Sequence, residues 1–259
     1  MEEKPVLWSK DAGICTVVMN VPKTLNALST PMLYGLEAAF EDCFDDSIRA
    51  VVLTGAGKAF CSGGDLAGAV AFGAQKWLFE NPKKLSVVIN TMRQLPKPVI
   101  ASINGAAFGV GMSFALACDI RLASDKAVIA QAYTSVGLCP DGAWTYTVPQ
   151  IVGMAKALEL VMLDTPIKAD EALRLGLVTK VVPAEQLEEE TLRLARKLAD
   201  GPTKAFASAK ALINASMLPG LESQMEKERW GISGCGGSED FKEGYEAVFS
   251  KRKAKFIGR

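Results

Sequence analysis

The sequence predicts an α/β fold followed by a helical C-terminal part, and three observations carry that expectation. Short apolar runs alternate with amphipathic stretches through the first half of the chain, the pattern of strands separated by helices. Beyond about Val152 helical periodicity takes over. The chain has 259 residues, 49% of them hydrophobic, which is ample for one large core with a helical appendage.

Each element has its own signal. Val6 to Lys10 and Gly13 to Asn20 read as two strands around an Asp11-Ala12-Gly13 turn. Thr30-Pro31 opens a helix, since Thr caps and Pro suits the first helical position, and Leu33, Leu36, Phe40 and Cys43 form its apolar face. Ala50 to Thr54 is a buried strand that runs into a glycine-rich loop. A helix carrying Leu85, Val88, Ile89, Met92 and Leu95 is expected after Pro82 and is stopped by Pro96 and Pro98. Val99 to Ile103 is again strand, followed by a second glycine-rich turn and a small-residue helix to Ala117; Asp119 to Ala123 is strand. Helices are then expected at 154–163, 169–175, 185–199, 203–215, 221–230 and 239–250, with one strand break at 177–182.

Composition excludes several classes. Lys and Arg together number 29, as do Asp and Glu, so no basic excess supports nucleic-acid binding. The start, Met1 to Pro5, lacks a charged-then-apolar signal pattern, and no apolar run reaches the roughly 18 residues of a membrane span. Cys15, Cys43, Cys61, Cys118, Cys139 and Cys235 are dispersed, as reduced thiols are, so a cytoplasmic location is expected. The chain has no histidine, which removes Ser-His-Asp and Cys-His catalysis and the commonest metal ligand. Acid–base chemistry must come from carboxylates, Tyr, Lys, Cys or water.

Two glycine loops follow short buried strands and lead toward helices: Gly55-Ala56-Gly57 with Cys61-Ser62-Gly63-Gly64-Asp65, and Asn104-Gly105 with Gly109-Val110-Gly111. Glycine lets backbone N–H groups approach a ligand, and a helix N-terminus adds positive potential. Two such loops could aim two N–H donors at one oxygen and stabilise an enolate. Either loop taken alone reads as a tight turn. Neither has the spacing of a phosphate-binding or dinucleotide-binding loop.

Together the loops resemble the two signatures of the crotonase (enoyl-CoA hydratase/isomerase) superfamily: Lys58 to Leu66 is similar to the first, and Pro98 to Asp119 with Asn104-Gly105 and Gly109-x-Gly111 to the second. Leu25-Asn26-Ala27-Leu28, Ala169 to Val178 and the Lys251-Arg252-Lys253 ending extend the resemblance over essentially the whole chain. It implies a spiral of β-β-α turns over residues 1–198, a helical subdomain over 199–259, and a homotrimer or a dimer of trimers. It implies an acyl-CoA thioester as substrate, with coenzyme A part of the substrate and no separate cofactor or metal, in β-oxidation or aromatic catabolism. The N–H groups of Gly64 and Val110 are implied as oxyanion donors. Ala27, Ser62, Gly63, Asp65, Leu66, Gly109, Tyr133, Trp144 and Lys251 are the implied contacts to substrate or coenzyme A.

The resemblance also bears on the reaction. Hydratases of this family hold water between two glutamates, and here those positions are Ser113 and Tyr133. Asp141, in Cys139-Pro140-Asp141-Gly142, stands where the isomerase branch has its acid. One carboxylate suffices to move a proton from the α- to the γ-carbon of a 3-enoyl thioester, and an apolar pocket, with Phe108, Trp144 and Tyr146 as candidate walls, would raise its pKa toward the working range. Pro-Asp-Gly is equally a turn tripeptide. Asp65 is a competing acid, or a loop brace and helix cap. Asp119 reads as a strand-end anchor, and Lys58 and Lys97 as further candidates for the nucleotide phosphates. A hydratase or lyase using Asp141, and a non-catalytic acyl-CoA binder, remain the alternatives.

Overall fold

The computed structural model describes residues 4–259, so the polar residues 1–3 lie outside the described residues. Strands β1 (Val6–Asp11) and β2 (Ile14–Met19) form a hairpin whose second strand starts a parallel series. Helix α1 (Thr30–Asp42) is capped by Ser29, whose hydroxyl accepts from the Met32 N–H, with Pro31 in its first turn. Strands β3 (Ala50–Gly55), β5 (Val99–Ile103), β7 (Ile120–Ser124) and β10 (Lys180–Val182) complete a six-stranded sheet in the order β1-β2-β3-β5-β7-β10.

Three of the parallel strands, β3, β5 and β7, are each followed closely by a short one: β4 (Ala59–Cys61), β6 (Ala106–Phe108) and β8 (Val128–Ala130). These three pair in parallel, and β9 (Ile167–Lys168) closes a second sheet of order β4-β6-β8-β9. The repeat of long strand, short strand and helix is therefore a spiral, and the crotonase-like architecture expected from the two glycine signatures is present. Between its turns lie α2 (Leu66–Phe72), α3 (Ala74–Gln94) and α4 (Val110–Ala117).

The second half holds α5 (Trp144–Val152), α6 (Met154–Leu163), α7 (Ala169–Arg174), α8 (Leu187–Ala199), α9 (Thr203–Met217), α10 (Leu221–Gly236) and α11 (Glu239–Phe249). Helix α8 covers the six-stranded sheet through Leu187, Ala195 and Ala199, packed against Val52, Ile100 and Leu122. Helix α10 lies along α3 and also meets α5. Among the described residues no helix is long and apolar enough to cross a membrane.

Several boundaries differ from the sequence expectation. Helix α3 begins at Ala74 and runs through Pro82, because burial of Trp77, Leu78 and Leu85 on one face outweighs the roughly 3 kcal/mol local penalty of proline. Strand β10 is half the length expected at 177–182: the Leu177 N–H turns back to the Ala172 carbonyl at 2.9 Å and finishes α7 instead. Helix α5 was not expected, and α10 continues past Trp230 through three glycines to Gly236. Asp119 anchors as expected, accepting the Val99 N–H at 2.9 Å and the Lys210 ammonium at 2.8 Å.

Candidate active site

The loop after β4 is pinned on both sides of Gly64. Leu28 donates its N–H to the Gly63 carbonyl at 2.7 Å, and Asp65 donates its own to Leu28 at 3.1 Å. Buried Asn26 secures the neighbouring chain, its amide donating to the Ala56 and Ala59 carbonyls at 2.9 and 2.8 Å. The backbone turns at Gly63 with φ +111°, a conformation that glycine alone adopts without strain. The second loop turns at Gly109 and launches α4 at Val110. Helix α4 can lie against β4 only because residue 111 is glycine: a Cβ there would stand 2.3 Å from the Cys61 carbonyl oxygen.

Among the described residues, no acceptor takes the N–H of Gly64 or of Val110. Their loops touch, since a Cβ placed on Gly109 would lie 3.7 Å from Gly63 Cα and 3.8 Å from Tyr133 Cζ. Two free backbone donors thus line one cleft, and donors of this kind can hold a developing oxyanion.

The same cleft carries the acid. The Tyr133 hydroxyl donates to Asp141 Oδ1 at 2.8 Å, and Ser113 Oγ donates to the Asp141 carbonyl at 3.0 Å. Asp141 is 6% exposed. Burial pushes its carboxyl from the ordinary 3.8 to about 6, with the Tyr133 hydrogen bond pulling the other way. Tyr133 is held well above its ordinary value, first by burial and then by the Asp141 charge, so it remains a hydroxyl donor. Trp77, Leu78, Asn81, Pro82 and Leu85 of α3, with Ile232 of α10, complete the lining. The cleft volume is about 90 Å³, room for a short reacting segment rather than a whole ligand.

Of the residues expected from the sequence, Ser62, Gly63, Gly64, Leu66, Gly109, Val110, Tyr133 and Asp141 line this one cleft. Ala27, Asp65, Trp144 and Lys251 do not. Asp65 caps α2, its carboxylate accepting the Gly68 N–H at 3.0 Å, so its oxygen is committed to the helix. Trp144 is buried behind the Asp141 turn with its indole N–H on Met112 Sδ at 3.3 Å. It faces a second cavity of about 530 Å³ lined also by Ser113, Gly142, Asp119 and Lys210. That cavity is larger, but Asp119, the one acid among its described lining residues, is bonded to Lys210 and Arg93, so it offers no free carboxylate as the smaller cleft does. Tyr146 is spent on the Gly220 N–H at 3.1 Å. Lys251 is exposed after α11, and Lys97 turns inward to the carbonyls of Cys43 and Asp45.

One participant has no signal of its own in the sequence. Glu228 of α10 is 4% exposed and accepts the N–H groups of Ala143 and Thr145 at 2.7 and 2.9 Å, just after Asp141. Burial raises its carboxyl to about 7, with the Asp141 charge adding to the rise and the bonds from Thr145 and Ala143 opposing it.

The fold and the site can be set beside known proteins. Residues 9–259 match the family model described as Enoyl-CoA hydratase/isomerase. Over the full length of both chains the sequence is 37% identical to a protein of Rhodobacter capsulatus named "Probable enoyl-CoA hydratase". It is 33% identical, over 98% of each chain, to the 1,2-epoxyphenylacetyl-CoA isomerase of Escherichia coli. The crystal structure of an enoyl-CoA hydratase from Mycobacterium avium subsp. paratuberculosis superposes with a TM-score of 0.89 at 34% identity, covering 98% of both chains.

Proposed function

The chain belongs to the enoyl-CoA hydratase/isomerase family, and from that premise we propose that it shifts a carbon–carbon double bond in an enoyl-CoA thioester, from 3-enoyl to 2-enoyl or in a related cyclic acid. One observation carries the reading: among the described residues lining the cleft, Asp141 is the one acid, and it is poised near pH 6 opposite two free N–H donors. In the proposed reaction the ionised Asp141 takes the α-proton. The C–H electron pair moves toward the thioester carbonyl, and the dienolate oxygen rests between Gly64 and Val110. The protonated Asp141 then gives the proton to the γ-carbon, which leaves the double bond between α and β. No water is added and no further cofactor is drawn on. The positions where the resemblance puts the two water-holding glutamates carry Ser113 and Tyr133, which are bonded to Asp141 instead.

A hydratase reading has the name of the Rhodobacter relative in its favour. Assay of 3-enoyl and 2-enoyl thioesters with wild type and Asp141→Asn separates the two. Isomerisation by wild type, reduced about a hundredfold to ten-thousandfold in Asp141→Asn at similar acyl-CoA affinity, is the expected outcome. Water addition to 2-enoyl-CoA without isomerisation favours the hydratase, and binding without turnover of either substrate favours a non-catalytic acyl-CoA binder. The proposal includes a homotrimer or a dimer of trimers. It places the reaction in the cytoplasm, where the six free cysteines would stay reduced.

A further inference from the structure

Asp141 sits at the head of an unusual turn. Gly142 and Ala143 follow it with φ +67° and +65°, two consecutive left-handed residues before α5 begins. For alanine that conformation costs about 1 kcal/mol or more, so the surroundings must hold it. The groups that do so come from 85 residues further along the chain. Glu228 Oε2 takes the Ala143 N–H, and Oε1 takes both the N–H and the hydroxyl of Thr145. One helical turn earlier, Gln224 donates to Thr145 Oγ1 at 2.8 Å. Helix α10 thus clasps the first turn of α5 from outside.

The choice of residue is informative. Glu228 is buried and, among the described residues, makes no ion pair. A buried carboxylate without a cation is costly, and a neutral side chain would avoid that cost. What ionised glutamate alone of this length supplies is two oxygens that only accept, matched to donors that converge on it. Glutamine would turn an NH₂ toward one of them.

We propose that Glu228 is a positioning residue: its two-oxygen grip on Ala143 and Thr145 fixes the Gly142-Ala143 turn and so aims the Asp141 carboxyl into the cleft. This rests on the reading of Asp141 as the base. The titratable groups that Glu228 faces are Asp141, Tyr133 and Cys139. Burial raises both carboxyls, Asp141 to about 6 and Glu228 to about 7, and the Asp141 charge adds to the rise of Glu228.

The test joins kinetics to a titration that needs no substrate. Glu228→Gln should lower kcat for 3-enoyl-CoA isomerisation about tenfold or more with KM within about twofold, because the substrate's contacts are untouched while the base is misaimed. Thr145→Val, which keeps the carboxylate and removes one donor, should show a smaller loss of the same kind, and it carries the test if the first variant does not fold. In the ligand-free protein, carbon-13 NMR of the Asp141 carboxyl should show its titration moved in Glu228→Gln, because a freed turn changes the burial of the carboxyl and its bond from Tyr133. Wild-type kcat in the variant, or the same Asp141 titration in both proteins, overturns the proposal. A wild type that turns over no enoyl thioester defeats the reading of the function instead, and the NMR comparison still decides the role of Glu228.

Discussion

With its carboxyl buried and, among the described residues, no cation paired to it, Asp141 keeps its proton up to about pH 6. Its folded value lies above the unfolded one, so the folded chain binds this proton more tightly. That contribution to stability is complete below 3.8 and is lost as pH rises to about 6, a change on the order of 3 kcal/mol. Asp141→Asn should therefore melt higher than wild type at pH 8 and close to it at pH 4, a comparison that calorimetry makes directly. The same value sets the rate: kcat/KM for isomerisation should rise through about pH 6 and then level off, because the free enzyme's base must be ionised. Tyr133 moderates this. Its hydroxyl bond lowers the Asp141 value, so Tyr133→Phe should shift the rising limb to higher pH and cost activity at pH 6 more than at pH 8. A limb that stays in place in the pH–rate profile would show that the hydroxyl does not act on the base.

At the scale of elements, the proposed oxyanion wall is backbone, and its variants should separate donor from side chain. A Cβ at Gly64 meets no atom within 4 Å, and Gly64→Pro removes the N–H; a loss of about a hundredfold or more is expected. Val110→Ala keeps its donor and should keep most activity. Equal mild losses in steady-state assays of the two variants would remove the oxyanion assignment. The long strands and the glycine loops were legible because each depends on residues near in sequence, whereas the acid at 141 was marked out by the family resemblance, since Pro-Asp-Gly alone reads as a turn. The short strands β4, β6, β8 and β9 were not: two or three residues carry no period, and they become strands only by pairing with each other. Pro82 read as a helix start because its local penalty is visible and the burial of Trp77 and Leu78 is not. Trp144 read as a pocket wall because aromatic type says nothing of facing, and Glu228 lies in an expected helix where nothing near it in sequence sets it apart.

For the molecule as a whole, the helical half leaves apolar surface uncovered. Met154 and Met162 on α6 are each 74% exposed, Leu212 on α9 is 72% exposed, and α9 buries none of its residues. Faces of this kind are covered in an assembly. Light scattering at micromolar concentration should give a trimer or hexamer, and a monomer would refute the assembly. The clasp between α10 and α5 has a consequence for how the protein is made. The loops at 64 and 110 and the acid at 141 all leave the ribosome before Glu228, which follows Ala143 by 85 residues. At ordinary translation speeds that interval is on the order of ten seconds. Throughout it the nascent chain holds the Asp141 turn without the helix that grips it, and β9 and β10 join their sheets only partway through. The flank of α3 that later receives α10, with Leu78 against Gly236 and Gln75 bonded to Ser233, stands open to water. The last third of the chain is thus what arms the site, and the growing polypeptide must be kept from sticking to its neighbours until that part arrives.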